Sequence, residues 1–125
     1  MPTVTLIARF GDGTDDPSPA DMERAIHEVF VETNPACSEA DYAEHPNAWL
    51  NYGEPAGEGW SVTTLDLYRT GEMRFTRYAD QDDAEPEFEL TKQVGREEAV
   101  RLWLLLHAGN IAALRGESWC SARAS

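Results

Sequence analysis

Two strand-like runs lie on either side of one turn, between residues 60 and 79. WSVTTLDLYR and EMRFTRYA predict two antiparallel strands, and the turn between them can be tested for register. A two-residue turn would place Leu67 opposite Arg74, an apolar residue against a charged one. A loop over residues 69–71, with its glycine in the left-handed region, places Leu67 opposite Met73 instead. The pattern therefore predicts an antiparallel hairpin with a three-residue loop.

This register also determines which side chains share a face. It sets Leu65 opposite Phe75 and, on the other face, Asp66 opposite Arg74, a favourable cross-strand pair. The run EFELTK predicts a third antiparallel strand. One face of the three strands is then apolar and is expected to pack against a helical layer. The expected strand residues are Leu65, Leu67, Met73, Phe75, Phe88 and Leu90, and the helical residues against them are Trp103 and Leu106.

A first helix is predicted after the turn cluster GDGTDDPSP. Ser18 can cap it, Pro19 suits its first position, and Asp21 occupies the capping-box position. Apolar residues then recur at helical spacing as far as Phe30. The helix should end before Pro35, since the residue before a proline disfavours the helical conformation.

A second helix is predicted from the residues at its two ends. Gly95 can serve as its N-cap, Val94 can pack onto Ala99 as a hydrophobic staple, and Gly109 should end it. The helix is apolar on more than one side, which is typical of a helix buried against a sheet. The segment NIAALRG predicts one further short turn, after which Trp119 should pack back onto the domain.

The remaining segments complete an α+β domain. Residues 3–10 alternate like a strand, residues 34–46 look irregular, AWLNY predicts a short strand, and GEPAGEG predicts a loop. The length suits a single domain over residues 1–125. We therefore expect an antiparallel sheet of four or five strands, with two helices on one face.

The amino-acid composition limits the classes of partner that this chain is expected to bind. The formal net charge is −13, from 23 acidic and 10 basic side chains, so direct binding to nucleic acid or to anionic membranes is disfavoured. No apolar run reaches the length of a membrane span, and the start MPTVTLIARF lacks the features of a signal peptide. Cys37 and Cys120 fit no metal or redox motif, and since no export signal is recognised, they are interpreted as free thiols in a reducing cytoplasm.

Catalytic motifs are not found. No pair among His27, His45 and His107 has the spacing of a metal site, and no nucleophile elbow, phosphate loop or zinc pattern is present. GDGTDD is rich in oxygen donors, but it lacks the alternation and the twelfth-position glutamate of a calcium loop. It is interpreted as a solvated turn. No catalytic residue, metal site or cofactor is predicted.

The most unusual stretch is YADQDDAEPEFEL, residues 78–90, which holds six carboxylates and no lysine or arginine. They are Asp80, Asp82, Asp83, Glu85, Glu87 and Glu89, interleaved with the aromatic residues Tyr78 and Phe88. A carboxylate dyad for acid–base chemistry would need one desolvated carboxyl, of which the segment gives no sign. The alternative interpretation is a charged surface that is exposed to solvent and has no binding role. Aromatic residues among carboxylates favour instead a surface that binds a basic protein.

The order of elements resembles one known family. The segments SPADMERAI, GEMRFTRYADQDDAEPEFEL and EEAVRLWLLLHAGNIAAL, with the tail ESW, are similar to the Imm-one family of immunity proteins over residues 15–119. The resemblance implies a small, non-enzymatic, cytoplasmic bacterial protein. It also implies binding to a cognate toxin domain, commonly a nucleic-acid deaminase, and occlusion of its active site. Such a toxin is expected to be electropositive around its active site, because it holds nucleic acid.

Two other functions remain open from the sequence. An acidic mimic of nucleic acid that inhibits a nuclease or defence complex would show the same charge, and gene neighbourhood would distinguish it. A small metal-dependent enzyme would bind a divalent ion in the acidic loop, which calorimetry would detect.

Overall fold

The computed structural model describes residues 3–7, 13–30, 47–56, 59–68, 71–80 and 84–121. These residues form one antiparallel seven-stranded sheet of order β2-β1-β3-β4-β5-β6-β7, together with three helices. The strands are β1 (Thr3–Ile7), β2 (Gly13–Asp15), β3 (Asn47–Ala56), β4 (Gly59–Tyr68), β5 (Glu72–Tyr78), β6 (Phe88–Gln93) and β7 (Cys120–Ser121). The helices are α1 (Pro19–Phe30), α2 (Arg96–His107) and α3 (Ile111–Arg115).

The predicted α+β class is confirmed, with more elements than expected. The additional strands are the edge strands β2 and β7, of three and two residues, which contain too few residues for a hydrophobic period to be recognised. The five-residue α3 lies where a short turn is predicted over NIAALRG.

The predicted register of the central hairpin is confirmed. Leu67 lies opposite Met73, and Leu65 lies opposite Phe75. Gly71 has a φ of +90°, the left-handed conformation that the three-residue loop requires, and its N–H donates to the carbonyl of Tyr68 at 2.8 Å. The loop residue therefore determines which face of the hairpin is buried.

The helices cover the face that the register predicts. Four strand residues of the hairpin, Leu65, Leu67, Met73 and Phe75, are fully buried, as are Trp103 and Leu106 of α2. Phe88 and Leu90 of β6 are half-buried and pack against the same cluster. The expected core is confirmed.

The predicted capping of α1 is also confirmed. The N–H of Ser18 donates to Oδ2 of Asp21 at 3.0 Å, and the N–H of Asp21 donates to Oγ of Ser18 at 3.1 Å. This reciprocal pair is a capping box, which satisfies donors that the first turn leaves free. The helix ends at Phe30, and the segment with Pro35 lies outside the described residues.

The ends of α2 follow the sequence prediction. Gly95 is its N-cap, and both members of the predicted staple, Val94 and Ala99, are buried in the core. Gly109, with a φ of +76°, follows the C-cap residue and ends the helix. Trp119 packs back as predicted: its ring centroid lies 5.1 Å from that of Phe75, and its Nε1 donates to the carbonyl of Leu114 at 2.6 Å.

Two predicted turns belong in part to strands. Residues 13–15 of GDGTDD form β2, which pairs with β1 and sets Asp15 opposite Thr5. Residues 53–56 of GEPAGEG continue β3, where Gly53 faces Val62 and Pro55 faces Trp60. Glycine and proline are poor strand residues, but here the pairing with a neighbouring strand outweighs the local preference.

Candidate functional site

Helices cover one face of the sheet, so alternate strand residues point to the opposite face, here called the outer face. Within the described ranges, no helix lies on this side. None of the described helices is long and apolar enough to cross a bilayer. The outer face carries Thr3, Thr5 and Ile7 of β1; Trp49 and Asn51 of β3; Trp60, Val62 and Thr64 of β4; Thr76 and Tyr78 of β5; and Glu89 of β6.

One row of polar residues, here called the polar row, crosses the outer face. The strand register aligns Asp15, Thr5, Asn51, Thr64, Thr76 and Glu89, one from each strand from β2 to β6. Thr5 Oγ1 donates to Asp15 Oδ1 at 3.4 Å, and Thr64 Oγ1 donates to Asn51 Oδ1 at 2.7 Å. The row therefore has oxygen acceptors along its length and a carboxylate at each end.

A shallow hollow lies beside the polar row. Its volume is about 410 Å³, and it is lined by Thr3, Thr5, Asn51, Gly53, Trp60 and Val62. A Cβ added to Gly53 would lie 3.7 Å from Cε3 of Trp60 and 3.3 Å from Oγ1 of Thr3. The ring of Trp60 thus lies close to the glycine backbone, and the indole forms one wall of the hollow.

The acidic surface that the sequence predicts begins at the end of β5. Tyr78 is the last residue of β5 and lies opposite Val62 on the outer face. Asp80 follows it, and a Cβ added to Gly59 would lie 2.6 Å from its Oδ2, so this carboxylate approaches the start of β4. Glu85 is exposed. Asp82 and Asp83 lie outside the described residues.

Two of the predicted carboxylates have cationic partners on β5. Glu87 lies 3.2 Å from Arg77, which also lies 3.8 Å from Glu54. Glu89 lies 3.2 Å from Arg74. The run contains no cation of its own, yet pairing between β5 and β6 supplies two.

Phe88 lies on the other side of the sheet from Tyr78. Its ring centroid is 4.9 Å from that of Phe75 in an edge-on arrangement, and the Arg115 guanidinium lies 4.2 Å from its ring. It was predicted both as a core residue and as a partner contact. The structure brings it to the helix side, separate from the outer face.

The sequence interpretation missed the two outer-face tryptophans, Trp49 and Trp60. A signal for them was present. On β3, Trp49 alternates with the buried Ala48 and Leu50, and on β4, Trp60 has the opposite parity to the buried Leu65. An aromatic residue out of phase with the core of its strand points to the uncovered face, where large rings favour protein binding.

A half-buried carboxylate lies farther along the outer face. Burial raises the pKa of Asp66, against the opposing effect of the Asn47 side chain, which donates to Asp66 Oδ1 at 2.6 Å. Its cross-strand partner is Arg74, as the hairpin register predicts. The Tyr68 hydroxyl also donates to this carboxylate, to Oδ2 at 3.4 Å.

The histidines and cysteines form no cluster among the described residues. His107 Nε2 lies 3.1 Å from Asp16 Oδ1, Nδ1 of His27 is buried without a hydrogen-bond partner, and Cys120 is an exposed free thiol. His45 and Cys37 lie outside the described residues. In the described part of the chain, no group of three or more His, Cys, Asp or Glu residues is placed to hold a metal ion.

Comparisons of the chain with protein-family models, with curated proteins and with solved structures returned no match. The function is therefore inferred from the chemistry of the surface.

Proposed function

We propose that this chain is a non-enzymatic immunity protein that binds a basic, nucleic-acid-acting bacterial toxin domain in the cytoplasm and occludes its active site. The observation that carries the proposal is the one-signed charge between β5 and β6. Three of the carboxylates there, Asp82, Asp83 and Glu85, follow one another closely in a segment without lysine or arginine. A deaminase-type toxin holds nucleic acid in an electropositive cleft, which this segment would complement.

The surroundings of the loop support attraction of a cation. Arg77, the cation of β5 nearest to it in sequence, already contacts Glu54 and Glu87. The net charge of −13 adds a long-range field of the same sign. Such a field accelerates the encounter with a basic partner and orients it, while aromatic contacts supply most of the lasting affinity. The resemblance to the Imm-one family supports the more specific assignment to a toxin.

The experiment measures association with the toxin domain encoded beside this gene, by stopped flow at low and high salt. Reversing Asp82, Asp83 and Glu85 to Lys should slow association at low salt by about tenfold or more, because steering contributes roughly 10 to 10³ to on-rates. The slowing should shrink at high salt, where the field is screened. Dissociation should change less.

A matched control separates local charge from total charge. Asp83→Lys with Glu85→Lys changes the net charge by the same amount as Glu23→Lys with Glu97→Lys, two exposed residues on the helix side. The loop variant should slow association more than the helix variant. Equal slowing by the two double variants would show that the loop is not part of the binding surface. If the toxin domain encoded beside this gene does not bind the parent protein, the proposed function is overturned.

A further inference from the structure

We propose that the hollow on the outer face receives an arginine side chain of the protein partner, next to the polar row. The inference rests on the proposed function for the identity of the partner, and it adds a second contact surface to the acidic loop.

The walls of the hollow suit a guanidinium group. Trp60 offers an indole face, on which a planar cation can stack. Asn51 and Thr5 line the same hollow and carry side-chain oxygens that can accept hydrogen bonds from guanidinium N–H groups. An arginine can make both contacts at once, because its flat guanidinium can stack on the ring while its N–H groups donate in the plane of the group, whereas a lysine ammonium cannot stack in this way.

The charge around the hollow has the sign that an arginine requires. A second hollow of about 590 Å³ shares Thr3 and Thr5 with the first and is also lined by Asp15 and Asp16. The Asp16 side chain is 88% exposed, and its Oδ1 lies 3.1 Å from Nε2 of His107. At the other end of the polar row, Glu89 is paired with Arg74. The edge beside β2 is therefore the more negative end.

The hollow lies next to the end of β5, where the acidic segment begins. Val62 lines the hollow, and its cross-strand partner is Tyr78, two residues before Asp80. A partner steered by the loop would thus meet the indole and tyrosine rings of the same surface. Aromatic anchors beside a charged rim are the arrangement in which binding energy concentrates.

The first test is kinetic and uses the toxin domain encoded beside the gene. Trp60→Ala should accelerate dissociation by about tenfold, which corresponds to the loss of one strong interface contact. Thr5→Lys, which places a like charge beside the bound arginine, should do the same without removing a ring. Thr91→Lys, on the outer face of β6 and outside the hollow, is the matched control and should leave dissociation within about twofold of the parent. Melting curves of each variant verify folding.

The second test uses defined peptides and needs no toxin. Acetyl-Gly-Arg-Gly-amide, titrated into ¹⁵N-labelled protein, should shift the Asn51 amide and Trp60 indole signals. The lysine counterpart should shift them less, and the shifts should disappear in Thr5→Lys.

The outcomes separate the two proposals. If the acidic-loop variants slow association but Trp60→Ala and Thr5→Lys leave dissociation unchanged, the hollow is overturned and the proposed function stands. If the toxin domain does not bind while the arginine peptide shifts the Asn51 and Trp60 signals, the proposed function fails and the arginine site stands. If the variants at the hollow leave toxin dissociation unchanged and the peptide shifts neither signal, the arginine site is overturned. A Trp60→Ala variant as destabilised as a core truncation would show that the chain itself covers the ring, and would also overturn the site.

Discussion

Phe75 joins the strands to the helical layer and to the C-terminal segment. It is fully buried, and its ring contacts Phe88 of β6 and Trp119 beyond α3. Phe75→Ala should lower the free energy of unfolding by about 3–5 kcal/mol, through lost burial and the cavity left behind. Urea unfolding measures this. Leu104→Ala, at a residue 38% exposed, is the control and should cost much less. A loss below about 1 kcal/mol for Phe75→Ala would contradict its position in the core.

The four tryptophans show how one residue type takes different roles. Trp103 is fully buried in α2, and Trp119 packs against Phe75 while donating to a carbonyl. Trp49 and Trp60 lie half-buried on the outer face. Packing against the core separates the first two as structural residues from the second pair, which lie on the face that no described helix covers.

Among the secondary-structure elements, a cluster of charged side chains links the segment after α3 to β6 and α2. Lys92 of β6 lies 2.7 Å from Glu98 and 3.4 Å from Glu117. Arg101 of α2 lies 2.7 Å from Glu117 as well. Glu117 follows α3, so its two cations connect a strand and a helix with the C-terminal segment.

The cluster predicts a specific pH dependence. Hydrogen bonding from Arg101, and then from Lys92, lowers the pKa of Glu117 from 4.5 to about 2. Because the pKa is depressed in the folded state, the stabilisation is complete above pH 4.5 and is lost as the pH falls towards 2. The difference in unfolding free energy between the parent and Glu117→Gln should therefore be largest near neutral pH and should shrink below pH 4.5. Urea unfolding at several pH values measures it.

A double variant provides the control for the cluster. Arg101→Gln removes the largest cause of the shift, so adding Glu117→Gln to it should change the pH dependence less than Glu117→Gln does alone. If the two effects were simply additive across the pH range, Arg101 would not be the source of the lowered pKa.

For the whole molecule, the net charge is expected to lower the stability of the folded state. A charge of −13 destabilises the compact state through self-repulsion, whereas the ion pairs at close range oppose this. Salt screens the long-range repulsion more than the contacts between partly buried partners, since the Debye length falls from about 30 Å at 0.01 M to about 3 Å at 1 M. The melting temperature should therefore rise with sodium chloride over this range.

Reducing the acidic charge should weaken this response. Asp83→Lys with Glu85→Lys should raise the melting temperature at low salt and flatten its increase with salt. Thermal melts followed by circular dichroism measure both. A melting temperature that falls with salt in the parent would mean that its ion pairs contribute more than the repulsion they oppose.

Much of this fold was determined by local sequence. The hairpin register followed from the alternation of Leu65 and Leu67 and from Gly71, because a one-residue slip would turn the apolar side chains outward. The start of α1 and both ends of α2 followed from their caps, since side chains and glycines close to a helix end satisfy or terminate its hydrogen bonds. These signals act over a few residues and are therefore readable in the sequence.

The arrangement of the surface depends on contacts between residues that are distant in sequence. Arg77 and Arg74 are separated in sequence from Glu87 and Glu89, and strand pairing brings them together, so the acidic run is partly neutralised. The polar row collects one residue from each of several strands, and no local period connects them. Whether an alternating residue faces helices or the outer face depends on where distant segments pack, which is a property of the assembled sheet.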